Sequence, residues 1–281
     1  ILAVSCPGRP CSHQYDARNS RLALQFPDPI PPRTGFTIHT VTVCRPTKNI
    51  LEGLYYDETP PGAPPQQITQ CQQWGFQRLV PCIDDMAAKC TYTTTIIADE
   101  RYTNLITNGD IDRPRETAGP GRVKVTYGNR VTPMAPYLFF LGCGTYATFL
   151  RECEYPDGKR FSLEILVPPG SDPAVAGQAL EILYDGVLWV NLFTGPGRYG
   201  KPAVRAGIRR LVASRDRLKE TDPASPELER VRGRLRALYD QIIPGYAYTG
   251  ATYREIAMQN SDFGGMENVG NTTITANRIM P

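Results

Sequence analysis

Histidine is almost missing from this chain of 281 residues: His13 and His39 are the only two. Neither stands in a His-x-x-x-His spacing, so the sequence offers no pair of imidazoles on one helix face for a metal. His39 falls on the polar face of a strand-like run and His13 in a polar opening segment, where exposed surface positions are expected. The eight cysteines, at 6, 11, 44, 71, 82, 90, 143 and 153, never fall in a Cys-x-x-Cys spacing, which argues against a structural zinc site. Several lie in apolar or alternating runs, where a thiol behaves as a small hydrophobe, and a chain this long seldom needs covalent staples. Free thiols are therefore expected, with Cys6 and Cys11 the best candidates for a disulfide. Long apolar runs are absent too. The densest, Pro136–Leu141, is strand-sized and far short of the roughly 18 residues a membrane helix needs. A formal net charge of +3 gives no strong field toward nucleic acid or an anionic membrane, and neither is expected as a partner. The chain opens at Ile1 with no basic-then-apolar leader, so a removed leader or a trimmed piece is expected; location is weakly constrained, with cytoplasmic as the default.

What is abundant is punctuation. With 26 Pro, 25 Gly and an apolar fraction of 41%, the chain can bury a sizeable core but must do so in short pieces. Phe36–Val43 and Phe161–Val167 alternate apolar and polar residues, the pattern of half-buried antiparallel strands, and similar segments occur at 21–26, 90–97, 122–127 and 137–149. Breakers such as Pro27-Asp-Pro29, Pro60-Pro61, Asn108-Gly109 and Asp157-Gly158 separate them. The expectation is a mainly β chain: an antiparallel, sandwich-like first unit over residues 1–170, then a second unit over 171–281.

Helices enter at Ser171-Asp-Pro-Ala174, where Asp172 can cap and Pro173 can take the first helical position of a helix running to about Phe193. Apolar residues at three- and four-residue spacing then predict a helical hairpin at about 201–243. Its first helix is basic, with Lys201, Arg205, Arg209, Arg210, Arg215, Arg217 and Lys219 against Asp216 and Glu220, a pattern that usually just faces water. From Thr249 onward, strand-like residues surround a glycine-rich centre and continue to an apolar strand candidate before Pro281.

That centre, Phe263-Gly-Gly-Met-Glu-Asn268, places two backbone positions without side chains beside a single carboxylate. A peptide could approach the glycines closely and pair by main-chain hydrogen bonds, while Glu267 receives a cationic group at the peptide's end. A free amino terminus fits. A hydrogen bond to a charged group nets about 1.5–3 kcal/mol, which is roughly tenfold or more in preference for a free amine over a blocked one. Taken alone, such a pentapeptide is more often a turn with a solvated Glu.

Gly264-Gly-Met-Glu-Asn268 resembles the Gly-x-Met-Glu-Asn exopeptidase signature of the aminopeptidase N and leukotriene hydrolase family of zinc metallopeptidases. Further stations occur in family order: Leu51-Glu-Gly-Leu-Tyr55, Thr69-Gln-Cys-Gln72, Phe76-Gln-Arg-Leu-Val-Pro-Cys-Ile-Asp84, Ile97-Ala-Asp99, Thr107-Asn-Gly109 and Pro136-Tyr-Leu-Phe139. The resemblance implies a saddle-shaped β domain followed by the α+β opening of a thermolysin-like catalytic domain. It implies that Glu267 binds the substrate's amino terminus and that Gln72 reaches from the first unit to hold the same amine. Gly264 and Gly265 match backbone that pairs with the peptide, and Phe263 and Met266 border the pocket for the first side chain. Zinc, with a glutamate on a His-Glu-x-x-His helix as general base, is the implied cofactor. With only two histidines, its ligands are expected downstream, and this piece alone is expected to be inactive. The implied partners are peptides with a free amino terminus and the downstream catalytic domain of the same protein.

Met86 stands where relatives have Pro, and Val269-Gly-Asn271 replaces bulkier or basic residues, which leaves substrate preference open. The hairpin has no counterpart in the resemblance. Gly142-Cys-Gly-Thr-Tyr-Ala147 lacks the helix a dinucleotide site needs, and Gly195-Pro-Gly-Arg-Tyr-Gly200 lacks the Lys of a phosphate loop. Asp84-Asp85 reads as a structural turn. The alternative function is a non-catalytic relative serving as a protein-interaction scaffold; retention of Glu267 and Gln72 together favours the aminopeptidase.

Overall fold

Proline and glycine cut the first part of the chain into short strands, as their missing donor and freed backbone require. The computed structural model describes residues 1–48, 52–154, 160–194, 202–239, 250–261 and 263–280. Leu51, the Asp157-Gly158 turn, the 195–200 stretch, Lys201, the end of the hairpin past 239 and Pro281 lie outside the described residues.

Strands β1 (Ala3–Ser5), β2 (Ser12–Asp16), β3 (Arg21–Gln25) and β4 (His39–Val41) form two small sheets, β1 with β4 and β2 with β3. Next come β5 (Gly53–Tyr56), β6 (Gln67–Gln70), β7 (Cys90–Asp99), β8 (Asn104–Thr107), β9 (Asp110–Thr117), β10 (Arg122–Met134) and β11 (Leu141–Gly144). They pair antiparallel as a four-stranded sheet, β5-β6-β11-β8, and a three-stranded sheet, β7-β10-β9.

The remaining elements are β12 (Ala147–Glu154), β13 (Arg160–Val167), α1 (Pro173–Thr194), α2 (Pro202–Thr221), α3 (Pro226–Tyr239), β14 (Thr252–Met258), β15 (Gly265–Met266), β16 (Asn271–Thr275) and α4 (Ala276–Ile279). A five-stranded mixed sheet runs β12-β13-β14-β16-β15, with β13, β14 and β16 mutually parallel. Parallel neighbours need a long crossover, and the three helices α1 to α3 lie in the connection from β13 to β14. The sheet thus draws strands from both sides of the 170/171 division.

Both faces of β13 are buried, which fixes its register. Phe161, Leu163, Ile165 and Val167 form one cluster with Leu180 of α1 and Ile279 of α4. On the opposite face, Leu166 joins Ile256 and Met258 of β14 against Tyr55, Ile68 and Ile106 of the four-stranded sheet and Phe140 just before β11. The two sheets are therefore packed face to face. At the margin of this core, Asp57 is 5% exposed and accepts from Gln259 N–H at 3.1 Å and Asn260 N–H at 2.6 Å, capping the end of β14.

Two of the helices, α1 and α3, open on side-chain caps. Asp172 accepts from Ala174 N–H at 2.8 Å with Pro173 opening α1, and Ser225 accepts from Glu227 N–H at 3.2 Å ahead of α3. The hairpin α2–α3 buries Ile208, Val231 and Leu235 with Leu188 of α1 beside them. Arg215, counted among its basic residues, is ion-paired with Asp185 of α1 at 2.6 Å.

Three local expectations are corrected. Phe36–Val43 yields only the three-residue β4, and its apolar side chains stay open, with Phe36 48% and Val43 66% exposed. Among the described residues β4 pairs with β1 alone, and a two-stranded sheet is too small to bury that pattern. The 137–149 run divides between two sheets: a Cβ on Gly144 would stand 2.5 Å from the Tyr146 ring, so the chain turns there from β11 into β12. Ala276–Ile279 is a helical turn and not a strand. Among the described residues no helix is long and apolar enough to cross a membrane. All eight cysteines are free, Cys6 and Cys11 included.

Candidate functional site

The glycine-rich centre lies at the outer edge of the five-stranded sheet. Gly265 and Met266 pair antiparallel with Ile274 and Thr273 of β16, and the other side of β15 has no strand neighbour among the described residues. Such an edge presents backbone N–H and C=O groups to an added chain. The glycines keep the approach low: Gly264 and Gly265 are exposed, and a Cβ on Gly265 would come within 3.1 Å of Thr273 O. Thr275 steadies the entry, its hydroxyl donating to Phe263 O at 2.8 Å.

The side chains divide sharply. Met266 is 1% exposed and faces the interior. Phe263 is partly buried against the cluster of Tyr55, Phe140, Ile256 and Met258. Glu267 is exposed at the end of the edge. Asn268 is fully buried; its Nδ2 donates to Asn271 O at 3.2 Å.

Gln72 is exposed and immediately follows Cys71, which is fully buried. Cys71 belongs to the cluster of Phe76, Met134 and Phe139 against which Val269 packs. The segment bearing Gln72 and the loop bearing Glu267 are thus brought to one apolar cluster from opposite ends of the sequence. Burial pushes the Cys71 thiol up to about 12, so it stays protonated at neutral pH and acts as a packing group.

Beneath the loop lies a polar seam that sequence reasoning did not find. Asn108 and Asn271 bind the loop's backbone and that of the first unit, and Arg254, 6% exposed at its side chain, pairs with Glu164 at 2.6 Å. Thr107-Asn-Gly109 is visible in the sequence as a turn and as one station of the resemblance; nothing there tells that the carboxamide of Asn108 points inward. Asp84 and Asp85 serve as turn residues, accepting from Gln77 N–H at 3.0 Å and Ala87 N–H at 2.7 Å. A separate cavity of about 870 Å³ is lined by Tyr15, Ile38, Trp74, Val80 and Ile83, and neither Glu267 nor Gln72 borders it.

Residues 8–138 match the family model of the peptidase M1 N-terminal domain. Over that stretch the chain is similar to the N-terminal domain of M1 peptidases. Its fold is similar to aminopeptidase A of Legionella pneumophila, solved in complex with aspartic acid, with a TM-score of 0.62 and 18% identity. The match covers 99% of this chain and 27% of the Legionella chain, so the chain spans about a quarter of that aminopeptidase. No curated protein matches.

M1 peptidases are typically metalloenzymes, and the residues of this chain can be tested for such a site. Among the described residues no group of three or more His, Cys, Asp or Glu is placed to hold a metal ion. His13 lies on β2 and His39 on β4, both exposed and in different sheets. The described residues do not fit a zinc centre, and no chemical step is assigned to one here.

Proposed function

We propose that this chain is the amine-recognising part of a zinc-dependent aminopeptidase that removes the amino-terminal residue from peptides. In this reading a substrate peptide adds as a strand to the free edge of β15, using the exposed backbone of Gly264 and Gly265. Its protonated amine meets the Glu267 carboxylate, and Gln72 supplies a carboxamide oxygen to the same amine. The carboxylate stops the chain at its first residue, which makes the activity that of an exopeptidase. The buried side chain of Met266 anchors the loop from beneath, a role we give it in place of bordering the first side chain's pocket; Phe263, partly buried, keeps that bordering role. Zinc ligands and general base are assigned to sequence outside the 281 residues, in keeping with the share of the Legionella chain matched.

The observation that carries this reading is one arrangement: an exposed carboxylate at the end of a two-residue edge strand whose outer side has no strand neighbour among the described residues, on a loop fixed against the segment of Gln72. In the full-length polypeptide, Glu267→Ala is expected to lower kcat/KM for a free-amine aminoacyl substrate about tenfold or more. Zinc content by metal analysis should not change. Equal activity of the variant and the parent on that substrate would refute the assigned role.

A further inference from the structure

The turn Asn268–Asn271 carries the chain from Glu267 into β16. A turn at a sheet edge is ordinarily held by its own backbone and by water. Here it is held from the first unit. Val269 N–H donates to Leu138 O at 3.3 Å, and Val269 O accepts from Asn108 Nδ2 at 2.7 Å. The same Nδ2 also donates to Leu138 O at 3.1 Å, while Asn108 Oδ1 accepts the Phe140 N–H at 2.7 Å. A second tie lies beside the first: Asn271 Nδ2 donates to Thr107 O at 3.0 Å.

Asn108 is 2% exposed, so shortening its side chain would leave the Phe140 N–H without its acceptor and Val269 O with only the longer 3.4 Å bond from Asn271 Nδ2. Its carboxamide donates to two carbonyls and accepts one N–H at once, which a carboxylate or a single hydroxyl cannot do. The turn that bears it is itself backed by strand β10. Gly109 has a φ of +93°, and a Cβ there would stand 2.3 Å from Gly128 O, so Asn108 is gripped between its own turn and the loop.

We infer that Asn108 is a positioning residue for amine recognition: by holding Val269 it sets where Glu267, two residues earlier, stands relative to Gln72. This rests on the reading of Glu267 as the partner of the substrate's amine. Two residues span at most about 7 Å of chain, so fixing Val269 confines Glu267 within a short arc. A charge-assisted hydrogen bond tolerates little displacement beyond that. Since the amine is held alike before and during bond cleavage, the loss should fall on KM and leave kcat largely as it was.

The test is a double-mutant cycle in the full-length polypeptide, with Asn108→Ala and Glu267→Ala singly and together. Each variant is assayed with an aminoacyl anilide and with its counterpart lacking the amine. Asn108→Ala should raise KM for the free-amine substrate about tenfold, with a much smaller change in kcat and none for the counterpart. It should add nothing once Glu267 is gone. The same loss with and without Glu267, or for both substrates, is what mere support of the fold would produce and overturns the inference. If Glu267→Ala alone leaves free-amine preference intact, the amine reading itself fails and takes this inference with it. Should Asn108→Ala not fold, Asn108→Ser, which lacks the paired amide hydrogens, is scored by the same two criteria.

Discussion

Glu255 shows how a single residue can carry a pH dependence. It lies on β14, the central strand of the five-stranded sheet, opposite Ile165 and Thr272. Burial pushes its carboxyl above the usual range, and no ion pair to it occurs among the described residues. A carboxyl whose folded pKa lies above its unfolded value binds more protons when folded, so stability falls as pH rises through that interval. Below the unfolded value, about 4.3, the penalty is gone. Glu255→Gln should therefore raise the melting temperature at neutral pH, with the gain fading as the pH approaches about 4. Thermal denaturation at several pH values measures this; a gain independent of pH would show that desolvation of the carboxylate is not its cause. Glu267 differs from Glu255 in the property that matters for binding: it is exposed at the sheet edge, where a ligand can reach it.

At the scale of elements, the joints carry more information than the strands. Asp57, just past β5, receives the two N–H groups that end β14, and so ties the four-stranded sheet to the five-stranded one. Asp57→Ala would leave those donors without an acceptor in a site that is 5% exposed. The expected loss is about 2 kcal/mol, read from the urea midpoint; a change within about 0.5 kcal/mol would mean that water replaces the carboxylate.

Much of this level was legible in the sequence. Alternation located Phe161–Val167, and Asp172-Pro173 marked the start of α1 because a cap and a fixed φ act locally. Alternation also misled at Phe36–Val43, since it shows which face is apolar and not whether anything covers it. The joints were not legible. The inward turn of Asn108, the reach of Asp57 to residues more than two hundred positions away and the pairing of Arg254 with Glu164 all arise from long-range packing, which leaves no periodic trace. In the candidate site, Gly264, Gly265 and Glu267 could be named from the motif. The burial of Met266 could not, because a two-residue strand has no alternation to read.

At the scale of the whole molecule, two sheets stack face to face, helices cover the far side of the mixed sheet, and the loop bearing Glu267 is sewn to the first unit along its margin. The stretch 8–138, which matches the peptidase M1 N-terminal domain, thus contributes more than a neighbouring surface: Asn108 and Thr107, within that stretch, hold the loop that follows β15. On this account the first unit and the edge strand act as one recognition device for a peptide's positive end. The most direct measurement is a crystal structure of the full-length polypeptide with a bound peptide whose amino terminus is free. The account predicts the peptide running along β15, with its amine nitrogen about 2.7–2.9 Å from a Glu267 carboxylate oxygen and within hydrogen-bond reach of Gln72. A peptide whose amine is held by other groups, with Glu267 directed into bulk water, would contradict it.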